Sequence, residues 1–266
     1  MSYSLSPIRF LPSYVGSKRH WLPALEPLRG RPFVELFAGS AVLSANLASR
    51  ALLVDSDPVV ARILSRFPEQ IVPETFTRDD FYRVRFTPEW WRHAYALQSM
   101  SFSGVFRYSK NGYNVPAKGG RHSSLNAVNE THVRDDYTLA LGRWHDLSPD
   151  VRCTSYTTVT DDDITALGDD VVVIIDPPYE GSAAAYNAAG FDYAEYWARV
   201  AGLTARFDTV LFDRESNLRD RGYPVTATRK MRVNGARSGD SEAMSLLFQI
   251  PQLVSILDQS ETLALK

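Results

Sequence analysis

The four residues Asp176-Pro177-Pro178-Tyr179 carry side chains that could hold a planar amine and prepare it for reaction. A carboxylate accepts hydrogen bonds from an exocyclic NH2 group, and two successive prolines make a stiff turn whose carbonyl oxygens can face that amine. An aromatic ring beside them offers a face on which a flat heterocycle could stack. The competing interpretation is structural, with the aspartate capping a turn and the prolines ending a strand. We predict that Asp176, Pro177 and Tyr179 form a catalytic site.

The motif follows an apolar run at residues 171–175, which predicts a strand buried on both faces. Strands of this kind belong to parallel sheets that carry helices on either side. Such sheets bind their ligands at the carboxyl ends of the strands, which is where this motif begins. The position of Asp176 therefore supports the catalytic interpretation.

A second group of residues has the spacing of a nucleotide-binding unit. A strand over residues 32–37 leads into a turn at Gly39 and a helical stretch, and a further strand over residues 51–55 ends on an acid. Asp57 is better placed than Asp55 to cap the next helix, because a proline follows it at the first helical position. Strand, glycine turn, helix and acid-terminated strand form the first half of a dinucleotide-type βαβ unit, so we predict that Asp55 binds a ligand.

The middle of the chain, residues 71–150, differs in character from its flanks. It is rich in Trp, Tyr, Phe, Arg and Asn, and it has helical patterns around residues 78–100 and 125–145. Between these, the glycines and asparagines of residues 103–120 predict a hairpin or an extended loop. We predict an inserted, mostly helical domain in this part of the chain.

The flanking parts, residues 1–70 and 151–266, predict a single α/β domain. Its late segments are expected to pair as an antiparallel hairpin that closes the sheet. The further elements predicted from apolar spacing are a helix over residues 192–205, a strand over residues 209–212, and the two hairpin segments near residues 223–233 and 243–250.

The single cysteine, Cys153, excludes an internal disulfide and is typical of a protein from a reducing compartment. We expect it to be a buried small hydrophobe. No apolar stretch is long enough to span a bilayer and the first residues lack a signal-peptide pattern, so we predict a cytoplasmic location without membrane contact. The five histidines show no metal-ligand spacing, which argues against a metal site.

The net charge of −2 does not favour a nucleic-acid partner, but the distribution of charge does. Two stretches, residues 102–121 and 228–237, contain basic side chains and no acid. They also carry turn residues or aromatics, as a loop that reads a groove would. The alternative is that both are solvated surface loops. The basic residues are Arg107, Lys110, Lys118 and Arg121 in the first stretch and Arg229, Lys230, Arg232 and Arg237 in the second.

Several short segments, taken in chain order, match the motifs of one enzyme family. They are Tyr14-Val15-Gly16-Ser17-Lys18, Phe33-Val34-Glu35-Leu36-Phe37-Ala38-Gly39-Ser40-Ala41, Val54-Asp55-Ser56-Asp57, Phe106-Arg107-Tyr108, Tyr113-Asn114-Val115-Pro116 and Asp176-Pro177-Pro178-Tyr179. On these segments the chain resembles the DNA adenine methylase (Dam) family of adenine-specific DNA methyltransferases. The match spans most of the chain, and the recognition-loop segments are the most specific to the family. A late segment around Glu242 matches more weakly.

The resemblance implies an α/β, Rossmann-like S-adenosylmethionine-dependent methyltransferase sheet with a closing antiparallel hairpin and an inserted target-recognition domain. It implies transfer of a methyl group to the 6-amino group of adenine in double-stranded DNA, after the base has been flipped out of the helix. No metal is implied. The residues implied to bind the cofactor are Tyr14, Lys18, Phe37, Gly39, Ser40, Asp55 and Asp176, and those implied to contact DNA are Arg107, Tyr108, Asn114 and Pro116.

The chain also departs from the family pattern. Ser17 replaces the second glycine of the opening loop and Ala41 the last glycine of the cofactor loop, and both loops need close backbone approach. Ser103-Gly104 stands where the family has Asn-Gly, which bears on the preferred DNA sequence more than on the reaction. Other functions share parts of the motif: methylation of a cytosine amine, methylation of a protein glutamine, and DNA binding by a catalytically silent regulator.

Overall fold

The structure is a computed structural model that describes residues 7–12, 14, 16–101, 108–109, 112–113, 131–180, 190–233 and 236–247. Within them the chain forms an α/β fold around a seven-stranded mixed sheet. In chain order the strands are β1 (Phe33–Glu35), β2 (Ala51–Asp55), β3 (Tyr108–Ser109), β4 (Gly112–Tyr113), β5 (Asp150–Cys153), β6 (Val172–Ile175), β7 (Asp208–Arg214), β8 (Ala227–Val233) and β9 (Ala236–Leu247).

The main sheet is parallel except at one end. Its order is β5-β2-β1-β6-β7-β9-β8, while β3 and β4 form a separate two-stranded ladder. The first five strands are parallel, and β9 is antiparallel to both of its neighbours. This is the strand order of a dinucleotide-binding sheet with one antiparallel strand, β9, inserted between its last two strands. In the main sheet, the chain runs from β1 to β2 and β5 on one side of β1, and it returns to β6 on the other side. The switch point of the sheet therefore lies between β1 and β6.

The helices connect the strands and cover the sheet. Asp57 caps the helix after β2 by accepting a hydrogen bond from the Val59 N–H at 2.8 Å, with Pro58 at the first helical position, as predicted. In chain order the helices are α1 (Leu22–Leu25), α2 (Val42–Leu47), α3 (Pro58–Ser65), α4 (Arg78–Val84), α5 (Ala94–Met100), α6 (Thr131–Leu147), α7 (Asp161–Thr165), α8 (Tyr193–Thr204) and α9 (Glu215–Asp220).

Each central strand alternates its side chains between two hydrophobic cores. Val172 and Ile174 of β6 pack in a core shared with α2 and α3, whereas Val173 and Ile175 pack in a core shared with α7, α8 and α9. All four side chains are at most 2% exposed. Because both faces of the strand are covered, β6 is an unbroken apolar run rather than an alternating one.

Helices from the predicted insert share the first of these cores. Phe81 of α4, Leu97 of α5 and Trp144 of α6 are buried in the same cluster as Leu43 of α2 and Ile63 of α3. The described residues therefore do not show a separate inserted domain, and the domain boundaries stay a prediction.

The α/β class is confirmed, and the sheet is compatible with the predicted Rossmann-like fold. The strands β2 and β6 coincide with the predicted segments to within one residue. β8 and β9 form the expected antiparallel end, although β9 begins at Ala236, well before the predicted segment. The early part of β9 is polar and glycine-containing, so it lacks the apolar alternation by which strands are recognised in a sequence.

The expectation that Cys153 is buried is wrong, since its side chain is exposed. It ends β5, which is the outermost strand at the parallel end of the described sheet. This short, charged strand was not predicted from the sequence.

Among the residues that the structure describes, none of the helices has the length and apolar character needed to cross a bilayer.

Candidate active site

A cleft opens at the switch point of the sheet, where the carboxyl ends of β2, β1 and β6 lie side by side. Because these strands are parallel and adjacent, Asp55, the Gly39 turn and Asp176 all reach the same edge. The segment just before α1 crosses this edge and supplies the cleft's other wall. The residues that line the cleft are Tyr14, Gly16, Ser17, Lys18, Glu35, Phe37, Ala38, Gly39, Ser40, Val42, Leu43, Ile174 and Asp176.

The glycine turn after β1 depends on having no side chain at Gly39. Its φ of +46° lies in the left-handed region, and a methyl group placed there would come within 2.8 Å of Tyr14 Cε1. The backbone thus passes directly under the Tyr14 ring, which only glycine permits. The Gly39 N–H points back to the sheet and donates to Asp55 Oδ2 at 2.9 Å.

The two departures from the glycine pattern differ in their conformational cost. Ser17 has φ −51° and ψ 127°, a region open to any residue, so no glycine is needed there. Ala41 has φ +49°, the left-handed region, and a non-glycine residue there costs about 1–2 kcal/mol. Of the two departures, only Ala41, at the start of α2, carries this backbone strain.

Asp55 braces the glycine turn from the end of β2. Its Oδ2 accepts from Gly39 N–H, and its Oδ1 accepts from Asp57 N–H at 2.9 Å. Burial raises the pKa of Asp55 to about 6 in spite of these two hydrogen bonds. Each carboxylate oxygen keeps a second lone pair, so Asp55 can hold the turn and still accept hydrogen bonds from ligand hydroxyls.

Glu35, the last residue of β1, holds the adjoining helix α2 by a hydrogen bond. It is 5% exposed, and its Oε1 accepts from the Ser44 N–H at 2.9 Å, which holds the first turn of α2. Burial raises the pKa of Glu35 to about 7. A carboxyl group with this pKa is partly protonated near neutral pH.

Lys18 lies at the other end of the cleft and is 6% exposed. Its Nζ is 2.7 Å from Asp176 Oδ2 and 3.2 Å from Glu242 Oε1, and it donates to the Gly16 carbonyl at 2.8 Å. The interpretation of Lys18 as a cofactor-pocket residue is therefore incomplete, because its ammonium group is ion-paired with the predicted catalytic carboxylate.

The hydroxyl of Tyr179 lies between two acids. It is 2.8 Å from Glu242 Oε1 and 3.1 Å from Asp176 Oδ1. The other oxygen of Glu242, Oε2, accepts from Trp21 Nε1 at 3.0 Å. We call the five residues Lys18, Trp21, Asp176, Tyr179 and Glu242 the carboxylate network. It joins the N-terminal segment, the end of β6 and the inserted strand β9.

The two acids of the network are held in different ionisation environments. Burial raises the pKa of Asp176 to about 6, opposed by Lys18 and reinforced by the negative charge of Glu242. Burial acts on Glu242 as well, but Lys18, Tyr179 and Trp21 outweigh it, so the pKa of Glu242 falls below its usual range. Asp176 is thus the acid that holds a proton more readily.

The remaining residues of the Asp176 motif are buried or half-buried. Pro177 is buried directly after Asp176, and the carbonyl of Pro178 accepts from the Tyr193 hydroxyl at 3.2 Å. Tyr179 is 8% exposed, so its ring offers little free surface, and the prediction that a base stacks on it stays untested.

Two further cofactor candidates, Phe37 and Ser40, line the cleft. Ser40 is buried with its Oγ 3.4 Å from Ser17 Oγ. Phe37 packs on the opposite face of the sheet against a group of aromatic rings. These rings are Tyr156, Phe191 and Tyr196.

The DNA-contacting candidates are described only in part. Arg107, Asn114 and Pro116 lie outside the described residues. Tyr108 begins β3, which pairs antiparallel with β4. In the second basic stretch, Arg229 and Lys230 are exposed on β8.

Arg229 stands directly opposite Glu242 across the β8–β9 pair, which sets basic surface beside the carboxylate network. Among the described residues, no group of three or more His, Cys, Asp or Glu side chains could hold a metal ion.

No protein-family model matches the chain, and no curated protein matches it. A functional assignment therefore depends on the geometry of this cleft and on the sequence motifs around it.

Proposed function

We propose that the chain is an S-adenosylmethionine-dependent methyltransferase that acts on the 6-amino group of adenine in double-stranded DNA. The observation that carries the proposal is the meeting of the Gly39 turn, Asp55 and Asp176 at the switch point of an α/β sheet. In such sheets this crevice is where nucleotide ligands bind. The order of the motifs along the chain supplies the choice of cofactor and substrate.

The cleft residues have side-chain chemistry that suits this cofactor. Gly39 allows the backbone of the turn to lie against the Tyr14 ring, which any side chain at this position would strike. Asp55 keeps acceptor capacity for ribose hydroxyls beyond its two backbone bonds. Lys18 is the only lysine or arginine among the cleft-lining residues that the structure describes, against the acids Glu35 and Asp176, so the cleft favours a cationic group. S-adenosylmethionine, when bound, supplies an electrophilic methyl group on a positively charged sulfur.

The residues after β6 then act on the substrate amine. Asp176 accepts a hydrogen bond from the amine, and the Pro177 carbonyl is proposed to accept a second one. These bonds oppose delocalisation of the nitrogen lone pair into the ring and orient it for in-line attack. Catalysis would consist mainly of positioning and of placing negative charge where the amine becomes cationic. The raised proton affinity of Asp176 suits it to take the proton that the methylated amine loses.

Contact with DNA is supported by charge placed around the cleft. Arg229 and Lys230 are exposed on β8 beside the network, and the predicted recognition hairpin carries an acid-free basic stretch. Basic residues at such positions bind phosphates and guide a duplex to the site. The adenine amine is inaccessible within a duplex, so the proposal includes base flipping.

The test combines binding with product mapping. Calorimetry should detect S-adenosylmethionine binding by the purified protein, and plasmid from cells that express the chain should carry methyl groups on adenine at a defined sequence. Plasmid from cells that express Asp176→Ala serves as the control. Absence of cofactor binding, with or without DNA, would contradict the proposal. Methyl groups on cytosine would show that the substrate is a cytosine amine. DNA binding without methylation would identify a catalytically silent regulator.

A further inference from the structure

Glu242 is the least expected member of the carboxylate network. It lies in the middle of the long antiparallel strand β9, 63 residues after Tyr179 and 221 residues after Trp21. Its side chain is 15% exposed and accepts from both of these residues. Glu242 is an enclosed acid that shares the charge of Lys18 with a second acid, Asp176. Burial of these charges has a substantial desolvation cost, which the contacts of Glu242 must offset.

The Tyr179 hydroxyl has one proton to donate and two carboxylates within reach. The distance to Glu242 Oε1 is 2.8 Å and the distance to Asp176 Oδ1 is 3.1 Å, so Glu242 has the better geometry. When Tyr179 donates to Glu242, Oδ1 of Asp176 is left without that proton. It can then accept from a substrate amine.

Lys18 is shared in the same way. Its ammonium group is closest to Asp176 Oδ2, at 2.7 Å, but Glu242 Oε1 lies 3.2 Å away and draws part of its charge. Without Glu242, Lys18 would neutralise Asp176 more fully. A fully neutralised carboxylate is a weaker acceptor for a developing ammonium group.

We propose that Glu242 is a positioning residue for methyl transfer: it takes the Tyr179 hydroxyl proton and part of the Lys18 charge, and so leaves Asp176 Oδ1 as the acceptor for the substrate amine. The inference rests on the proposed function, because it assigns Asp176 an amine to accept. It also gives the Tyr179 hydroxyl a role that the stacking interpretation of the ring does not.

Two substitutions break the same hydrogen bond but should act differently on the titration of Asp176. Glu242→Gln removes a negative charge that raises the pKa of Asp176, so that pKa should fall. Tyr179→Phe removes a hydroxyl whose proton is assigned to Glu242 and not to Asp176, so the pKa of Asp176 should not rise. The other titratable or charged groups that face Asp176 are Lys18, Glu35, Tyr196 and Asp213, and both variants leave them in place.

The experiment is a carboxyl-carbon NMR titration of the full chain, with the Asp176 signal assigned by its loss in Asp176→Asn. Glu180→Gln is the matched control, because it makes the same change one residue after Tyr179 at an acid that pairs outward with Arg221 at 2.7 Å. We expect a lower pKa of Asp176 in Glu242→Gln, no rise in Tyr179→Phe and no shift in the control. Unchanged titration in Glu242→Gln, or a raised pKa of Asp176 in Tyr179→Phe, would overturn the inference.

Single-turnover methylation is measured in parallel as a function of pH. In Glu242→Gln the rate should fall roughly 10- to 100-fold, the range typical when a partner that orients a ligating group is lost. The acidic limb of its pH profile should move to lower pH, and that of Tyr179→Phe should not move to higher pH. A lower rate with an unmoved profile and a lower unfolding temperature would assign Glu242 a merely structural role. The expected titration shifts in a protein that never methylates DNA would uphold the electrostatic assignment and refute the proposed function.

Discussion

The two halves of the cleft hold their acids in different ways. In the glycine-loop half, Asp55 and Glu35 accept hydrogen bonds from nearby backbone N–H groups. In the carboxylate network, Asp176 and Glu242 share the charge of Lys18 and bond to side chains that come from distant parts of the chain. The first half is a local arrangement of turns, whereas the second exists only when the whole sheet has formed.

This difference has an energetic consequence. A substitution that keeps an acceptor oxygen preserves the hydrogen bonds of the glycine-loop half, because backbone donors cannot be mutated away. In the network, removal of one charge leaves the others buried and unbalanced. Substitutions in the network should therefore act on turnover. Those in the glycine-loop half should act on cofactor affinity and on the pH dependence of stability.

The largest expected effect is that of Asp176→Ala. It removes the proposed amine acceptor, so the single-turnover rate should fall by orders of magnitude, roughly 10²- to 10⁴-fold. Affinity for cofactor and DNA should change far less, as expected for an interaction that is strongest in the transition state. Asp213→Ala is the matched control, because this acid is also buried, lies in the neighbouring strand β7, and bonds to Asn217 instead. Methylation by Asp176→Ala at the unmodified rate would make the end of β6 merely structural.

A smaller effect is expected from Glu35→Gln, and it concerns stability. The pKa of Glu35 is about 7 in the folded chain against an ordinary value of 4.5, so the folded state binds the proton more tightly. Its contribution to the free energy of unfolding is complete below pH 4.5 and is lost as the pH rises through 7, by on the order of 3 kcal/mol. The substituted amide keeps an acceptor oxygen for the Ser44 N–H and removes this loss. Urea unfolding should therefore show that the variant gains stability relative to the parent at about pH 8 and not at about pH 4.5.

The matched control for that measurement is Glu26→Gln. Glu26 is exposed, and its hydrogen bond to Arg29 lowers its pKa, so its contribution has the opposite sign and is lost as the pH falls. Asp55, Asp176 and Asp213 titrate in both parent and variant, and they cancel in the comparison. An equal pH dependence in Glu35→Gln and the parent would show that Glu35 is not the titrating group.

The smallest effect is expected from Asp55→Ala. Loss of its charge-assisted hydrogen bonds to ribose hydroxyls should weaken S-adenosylmethionine binding by about 1.5–3 kcal/mol, measured by calorimetry. Asp57→Ala is the control, because Asp57 caps α3 and should cost about 1 kcal/mol of stability without a comparable loss of affinity. Asp55→Asn keeps one acceptor oxygen and should fall between the parent and Asp55→Ala. Equal affinities in all four proteins would exclude Asp55 from the cofactor site.

The glycine-loop half could be predicted from the sequence, because its determinants are local. Asp57 and Pro58 mark a helix start within two residues, and the turn at Gly39 follows a short apolar strand. The positive φ of Gly39 is the conformation that a glycine at this position indicates. What the sequence could not predict is that Asp55 braces the turn, since that bond spans 16 residues.

The carboxylate network was only partly predictable. Asp176 and Tyr179 stand in a recognisable motif, but the Lys18 ion pair and the role of Glu242 depend on strand pairing across the sheet. The insertion of β9 between β7 and β8 places Glu242 opposite Arg214 and Arg229 and brings it to the end of β6. No local pattern encodes that placement, and a polar strand start gives little signal of its own.

The exposed position of Cys153 has a practical consequence. It is the only cysteine of the chain, and on the sheet it is the register partner of Asp55, the proposed ribose-binding acid. A thiol-reactive fluorophore would therefore attach at one place without any engineering of the sequence. The emission of the fluorophore would come from the strand next to β2, whose end lies at the cleft. Ligand entry could therefore be followed in real time in labelled protein of native sequence.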